Sequence, residues 1–535
     1  MARARSSAQQ WRQARPGGGD VCRNLKRSLS LFAALPGVVS YAAWAAKWDI
    51  VPTLSVGETY TDNLALTPDA SKQADWVTQV TPGISIAATG ARLKLNATYA
   101  PQVNYYARGQ QDNQIYQQLN ASGNAELAKQ LLFVDAGANV AQQNVSLLGP
   151  LTNSNVNTTG NRATVGTYFV SPYLRRDFGS DVQAEARFAY SVANSDDQSS
   201  LSDSVGNLIN LRLGSGPAYR LLAWDLDYFR SNVGYESQPD TSAEVILASA
   251  RRLITPTVGL LAQAGHENYE SGVVGPATGG RRWSTGLDWT PSPRTRLAAT
   301  VGERFFGNAY FLDLRHRARL TTWCAGYLQK VSSARAEFFV PITSSTTSST
   351  TSSTTGYVNP LISSRTSDPA PCHNAVESVI AQTGLPPINA PVNFFSSQLF
   401  LVNRFQALAA VQGVRNLLVA NVFNESREAS ADSVVLPSTG DFAVSNAIIQ
   451  TGTSLLWNWR MTAQNAWHLG GAYSRIDYPD IARIDHYSYV GMGLTRQFQP
   501  RLSGSLNYRR QQNDSNQSTS SYTENAVFAA LQLKF

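Results

Sequence analysis

Residues 522–535 read Tyr-Thr-Glu-Asn-Ala-Val-Phe-Ala-Ala-Leu-Gln-Leu-Lys-Phe. Counting back from the carboxyl terminus, Phe535, Leu533, Leu531, Ala529 and Val527 share one parity. Lys534, Gln532, Ala530 and Glu524 share the other, with Phe528 the one exception to its polarity. Side chains of an extended chain point alternately to opposite faces, so this is a strand with one apolar and one polar side. Such a strand closes either a soluble sheet packed on a facing sheet or a sheet that lies against lipid, and this stretch alone does not separate the two.

The same alternation recurs along the chain. Leu93, Leu95, Ala97, Tyr99 and Val103 oppose Lys94, Asn96, Thr98, Gln102 and Asn104; Val182, Ala184, Ala186, Phe188, Tyr190 and Val192 oppose Gln183, Glu185, Arg187 and Ser191. Many of these segments exceed the usual soluble strand and suit a tilted membrane crossing of about 9 to 11 residues. The connections decide the matter. Short turns at 89–91, 129–130, 255–256, 291–293, 412–413 and 499–500 alternate with long polar loops at 61–75, 107–116, 145–161, 426–440 and 513–521. Every second connection being short is the asymmetry of an outer-membrane barrel, with short periplasmic turns and long extracellular loops.

The expected fold is therefore all-β: a transmembrane antiparallel outer-membrane β-barrel of about 22 strands, within a range of about 18 to 24, over residues 46–535. An even count puts both termini in the periplasm of a Gram-negative cell. The final strand resembles those whose terminal aromatic, here Phe535, is read by the barrel-assembly machinery, and the outer surface meets lipid and lipopolysaccharide. Tyr60, Tyr99, Tyr105, Tyr106, Trp323, Tyr327, Trp457, Trp459, Tyr487 and Tyr489 lie near strand ends and are expected to contribute to aromatic girdles.

Residues 1–45 read as an export signal peptide. The apolar run 29–39 follows Arg23, Lys26 and Arg27, and Ala43-Trp44-Ala45 supplies a cleavage site after Ala45. The long basic stretch before Val21 points to a translation start near Val21 or Leu25. Nearly all of the net charge of +7 belongs to this leader, which holds seven of the 44 basic residues and one of the 37 acidic ones; the remaining 37 and 36 nearly balance. A near-neutral barrel gives no electrostatic case for nucleic acid.

The one large interruption is 332–397, an insert in an extracellular loop. It carries a Ser/Thr tract at 343–355, then Pro369-Ala370-Pro371-Cys372 and a short helical stretch at 373–382. Beyond the leader the cysteines are Cys324 and Cys372, read as a disulfide in an oxidising compartment and worth roughly 4 kcal/mol in the loop-entropy picture. Cys324 lies opposite in parity to Trp323 and Tyr327 and so faces the lumen. Pairing with Cys372 then draws the insert inward as a constriction or plug. Barrel size makes that reasonable, since about 22 tilted strands enclose a ring on the order of 40 Å across.

Candidate lumen-lining residues lie on the polar parities: Glu185, Arg187, Arg212, Arg304, Asp313 and Arg315, and further along Arg317, Asn458, Arg460, Asn507 and Arg509. Such a lining suits passage of sugars through stacking and hydrogen bonds, or equally a structural ladder of charge that solvates a wet interior. Nothing points to an enzyme. The histidines His266, His316, His373, His468 and His486 are scattered, no metal or cofactor motif is present, and Asp485-His486 near Ser488 places neighbours on opposite faces of one strand.

Stretches in three regions carry a family resemblance. They are Trp289-Thr290-Pro291-Ser292-Pro293-Arg294-Thr295 with Val301-Gly302-Glu303-Arg304-Phe305-Phe306-Gly307 and Arg315-His316-Arg317-Ala318-Arg319; Val56-Gly57-Glu58-Thr59-Tyr60-Thr61-Asp62-Asn63; and Arg415-Asn416 with Phe423-Asn424-Glu425-Ser426-Arg427-Glu428. In these the chain resembles the outer-membrane β-barrel family associated with PEP-CTERM/exosortase systems. The resemblance implies a place in an exopolysaccharide production and export locus, with exopolysaccharide and periplasmic export proteins as partners, and implies no active-site residues. The expected function is export or surface assembly in such a system. The alternatives are a non-conducting structural or adhesive surface protein and a general diffusion porin. The lack of a plug domain before Trp48 argues against a TonB-dependent receptor.

Overall fold

The computed structural model describes residues 46–535 apart from 110, 153, 197–201, 272–277, 338, 340–398 and 430–439. The signal peptide 1–45 and nearly all of the 332–397 insert lie outside the described residues. The strands are Lys47–Thr61, Asp75–Thr89, Leu93–Tyr99, Gln102–Tyr106, Gln114–Tyr116, Leu119–Ala128, Leu132–Asn144, Arg162–Phe178, Val182–Ser195, Ser204–Ser215, Leu222–Tyr235 and Thr241–Thr255. They continue with Val258–Ser271, Thr278–Ser292, Thr295–Arg304, Gly307–Arg317, Thr321–Ser333, Leu399–Gln412, Asn416–Ala429, Ala447–Arg460, Asn465–Tyr478, Arg483–Gln499, Leu502–Ser515 and Tyr522–Lys534.

Two of the crossings are broken. Leu93–Tyr99 and Gln102–Tyr106 both pair with Asp75–Thr89 and are one strand interrupted at Pro101, which has no N–H for the ladder. Gln114–Tyr116 and Leu119–Ala128 pair with those two pieces in turn. The 24 segments are thus 22 strands. Lys47–Thr61 pairs antiparallel with Tyr522–Lys534, from Thr53 opposite Lys534 to Thr61 opposite Ala526. The sheet closes on itself, a 22-strand antiparallel barrel without an exposed edge at the chain ends.

Alternation becomes inside and outside. In the last strand Glu524 is buried while Val527 and Leu531 are exposed; Ile50, Leu226, Ile246, Leu287 and Leu455 are exposed on other strands in the same way. A continuous apolar surface around a barrel is the face that meets lipid. Phe528, the exception in the terminal stretch, follows its parity inward. Among the described residues no helix is long and apolar enough to cross a membrane; the crossing is made by strands.

Short turns gather at one end of the barrel and most long loops at the other. At the loop end two connections are tight, one through Phe305-Phe306 to Gly307, whose φ of 106° only glycine adopts readily, and one through the 3-10 turn Pro479–Ile481. Lys47 and Phe535 both lie at the turn end, where Phe535 N–H donates to Pro52 O at 3.0 Å.

Three of the tyrosines expected in the girdles are elsewhere. Tyr106, Tyr487 and Tyr489 fall on inward parities, because Tyr487 and Tyr489 share the face of the buried Arg483 and Asp485, and Tyr106 that of the buried Asn104. The others face outward; Trp457 stacks on Trp459 at 5.8 Å and Tyr60 packs on Trp76 at 5.0 Å.

Among the described residues the ladder has two gaps: Gly307–Arg317 pairs with Thr321–Ser333 only from Leu312 opposite Tyr327 to Arg317 opposite Thr322, and a second gap, the seam, lies earlier in the chain. Leu119–Ala128 pairs with Leu132–Asn144 only as far as Leu119 opposite Val140. Beyond that point residues 114–116 pair on their other side with Gln102–Tyr106, and residues 141–144 pair with the start of Arg162–Phe178. Among the described residues no ladder joins 114–118 to 141–144.

Candidate functional site

The predicted lining residues keep their inward parity, and most are already paired. Arg187 bonds Asp135 at 2.8 Å and Glu185 at 3.2 Å, and its guanidinium lies 3.8 Å from the centre of the Tyr173 ring. Arg212 meets Asp225 at 2.6 Å, Arg304 meets Glu267 at 2.6 Å, Arg315 meets Asp313 at 2.7 Å and Arg509 meets Glu524 at 2.8 Å. Arg212 and Arg509 tie neighbouring strands, Arg187 and Arg304 reach across one intervening strand, and Arg315 bonds within its own. Removing either partner of such a buried pair is costly, which marks them as structural. The acids Asp135, Asp225 and Glu267 share the inward parity of their strands and are buried. Asn507 Oδ1 lies 2.8 Å from His468 Nε2, and Asn458 is half-buried. Arg317 and Arg460 sit exposed at the turn end, where their strands finish, with Arg460 donating to Val414 O at 3.1 Å. They belong to the mouth.

Two segments fold into the lumen. The loop 145–161 leaves the wall and crosses to strands nearly 300 or more positions later. Leu147 N–H donates to Asp441 Oδ2 at 2.6 Å, and Ser146 Oγ also donates to Asp441. Tyr522 Oη donates to Leu151 O at 2.9 Å, Arg483 donates to Leu148 O at 3.0 Å, and Asn157 Nδ2 donates to Glu524 Oε1 at 2.7 Å. Leu147 and Leu151 are buried among Phe400, Val402, Phe442 and Ile448. Strand parity does not reveal this obstruction. Its signal is Leu147, Leu148, Leu151 and Val156 in a loop otherwise rich in Asn, Ser and Thr, apolar residues that a solvated loop has no reason to hold.

The second segment begins the insert. Residues 334–337 are helical, and Arg335 reaches Ser204 Oγ at 2.8 Å and Ser191 O at 3.1 Å, on strands far from its own. Burial lowers the Arg335 pKa to about 10. Burial also opposes the Glu337 charge, but Lys330, at 2.6 Å, and Arg404 outweigh it and hold the carboxyl below its ordinary range. Ala334 packs on Ala163 and Val165 beside Val145, so the two inward segments meet. Cys324 is buried on the lumen side among Leu408, Ala410, Val419 and Leu456. Cys372 and the stretch 373–382 lie outside the described residues.

Behind the crossing loop lies a cavity of about 840 Å³. Gln79, Gln102, Gln118, Asn120 and Asn139 line it on one side, Tyr487, Tyr489 and Phe528 on another, and Ser154 and Asn155 of the loop bound it. Several amides bond one another: Gln102 Nε2 donates to Gln79 Oε1 at 2.8 Å, and Gln118 Nε2 donates to Gln102 Oε1 at 3.0 Å. Such a surface offers fixed donors, acceptors and ring faces with little charge, the chemistry that holds polyhydroxylated molecules.

Asp485, His486 and Ser488 do not converge. Asp485 is bonded inward to Arg483 at 2.7 Å, while His486 Nδ1 lies 2.7 Å from Tyr473 Oη on the outer face. Among the described residues no three His, Cys, Asp or Glu are grouped to hold a metal.

No protein-family model matches the chain, and no curated protein matches it. Solved structures do. The siderophore receptor PirA from Pseudomonas aeruginosa is 10% identical, with 91% of this chain and 80% of that one covered and a TM-score of 0.42. OccK9 (OpdG) from Pseudomonas aeruginosa is 10% identical, with 91% and 99% covered and a TM-score of 0.34. A BenF-like porin from Pseudomonas fluorescens Pf-5 is 8% identical, with 91% and 99% covered and a TM-score of 0.34. The fold itself is carried by the strand pairing of this chain, a closed antiparallel β-barrel.

Proposed function

We propose that the chain is an export or surface-assembly component of an exopolysaccharide system of the PEP-CTERM/exosortase type, with polymer passing through the lumen under the control of the inward-folded segments. The observation that carries this reading is the amide- and tyrosine-lined cavity of about 840 Å³ behind the 145–161 loop. A loop bound to Asp441, Tyr522 and Glu524 across the bore narrows the path and is compatible with a general diffusion porin as well. In this reading Cys324 is disulfide-bonded to Cys372, and the bond tethers the insert to the wall. The turn end faces the periplasm and its export proteins, Phe535 serves the barrel-assembly machinery, and the protein catalyses no reaction and needs no cofactor.

A second reading, a non-conducting structural or adhesive protein, is favoured by the pairing of the buried arginines. Planar-bilayer conductance of the refolded protein, before and after thiol reduction, separates the two. Stable currents that grow on reduction support a conduit gated by the insert. No current in either state, from protein with heat-modifiable gel mobility, overturns it in favour of the structural role.

A further inference from the structure

The cavity has an uncompensated positive charge. Arg509, which lines it, is neutralised by Glu524. Arg162, which also lines it, is not: its Nη1 donates to Ser154 O at 2.6 Å and its Nη2 to Gln142 O at 3.3 Å, both backbone carbonyls. Its Nε is buried without a hydrogen-bond partner, and among the described residues no carboxylate lies within ion-pair distance. Every other cavity or rung arginine discussed above has its acid. Arg162 stands beside the seam, where residues 141–144 have a ladder on one side only and Gln142 O is capped by this guanidinium.

A second feature lies close by in the wall. Asn120 and Asn139 are register partners on adjacent strands, both line the cavity, and among the described residues neither side-chain amide is hydrogen-bonded. Two free amides side by side present donors and acceptors at the spacing of neighbouring strands, about 5 Å, against Tyr487 and Tyr489 as ring faces. The volume is within the roughly 300–1,000 Å³ of small-ligand pockets.

We propose that this cavity binds a short segment of acidic glycan: sugar hydroxyls on Asn120 and Asn139, a ring face on the tyrosines, and the sugar carboxylate on Arg162. The proposal rests on the reading of the lumen as a saccharide path and names the class of saccharide. Arginine suits the carboxylate because its fork meets both oxygens.

The test is calorimetric titration of the detergent-folded full chain with trigalacturonate, maltotriose and inorganic phosphate. The wild type is expected to bind trigalacturonate about tenfold more tightly than maltotriose, the size of one charge-assisted contact. Arg162→Gln should erase that preference and leave maltotriose affinity within about twofold. Asn120→Ala with Asn139→Ala should weaken both sugars. Equal affinity of the wild type for the two sugars, an unchanged preference in R162Q, phosphate binding as tight as trigalacturonate, or no sugar binding by heat-modifiable protein each overturns the proposal. Conductance is read separately, so a conducting barrel that ignores trigalacturonate defeats this inference and leaves the conduit standing.

Discussion

Leu147 donates its backbone N–H to Asp441 at 2.6 Å across 294 positions of sequence, and this bond fastens the lumen loop to the 3-10 turn Gly440–Ala443. Burial raises the Asp441 pKa to about 6 from an ordinary 3.8, against the hydrogen bonds from Ser146 and Leu147 that pull it down. A carboxyl whose pKa is higher when docked than when released binds its proton more tightly in the docked state. The docked loop is therefore most stable below about pH 4, loses stability as pH rises through about 6, and levels off above. The change over that window is on the order of 3 kcal/mol at most. Single-barrel recordings should show more frequent opening at pH 7 than at pH 4.5, and Asp441→Asn should flatten the difference. An unaltered pH profile in D441N would show that another group is responsible.

Shortening the loop tests the obstruction itself. Replacing residues 147–156 by a short Gly/Ser linker removes Leu147 and Leu151 from the apolar cluster while leaving the wall ladder intact. Unitary conductance is expected to rise about twofold or more, since the loop crosses the bore. Equal conductance in the two proteins means that the loop does not limit the current.

Glu524 is the hub where the barrel closes. It accepts bonds from Thr61 at 2.7 Å, Asn157 at 2.7 Å, Gln511 at 2.7 Å and Arg509 at 2.8 Å. Glu524→Ala leaves the Arg509 guanidinium at the cavity wall without its acid and should cost about 3 kcal/mol. Glu524→Gln should cost less, because the amide oxygen still accepts. The denaturant midpoint of heat-modifiable mobility reads both, and equal midpoints for E524A and wild type would remove Glu524 from the closure.

The seam predicts a local weakness. Within 141–144, amides facing the missing ladder should exchange with deuterium at least about tenfold faster than amides of 134–138, which are paired on both sides. Uniform protection along Leu132–Asn144 would mean that the wall is continuous in solution.

Much of the architecture was legible because strand parity is a local property. Leu531 and Glu524 could be assigned to opposite faces from spacing alone, and the alternation of short and long connections gave closure and strand number. The inward direction of Arg187, Arg304 and Arg509 was readable for the same reason. Their partners were harder, since Asp135 is 52 positions from Arg187 and nothing in the sequence sets two inward residues at the same height. Tyr487 and Tyr489 were placed in the wrong layer because nearness to a strand end outweighed their parity.

The sequence by itself determined which side of the wall each residue occupies, since a period of two follows from extended backbone geometry. Only the tertiary structure decided what fills the bore. The 145–161 loop holds apolar residues without any strand period, and their burial against Phe400 and Ile448 depends on which far strands the closed ring brings opposite them. Arg162 is the sharpest case. Its spacing marks an ordinary strand start, and its unmatched charge exists only because the ring carries a seam there and sets no carboxylate beside it.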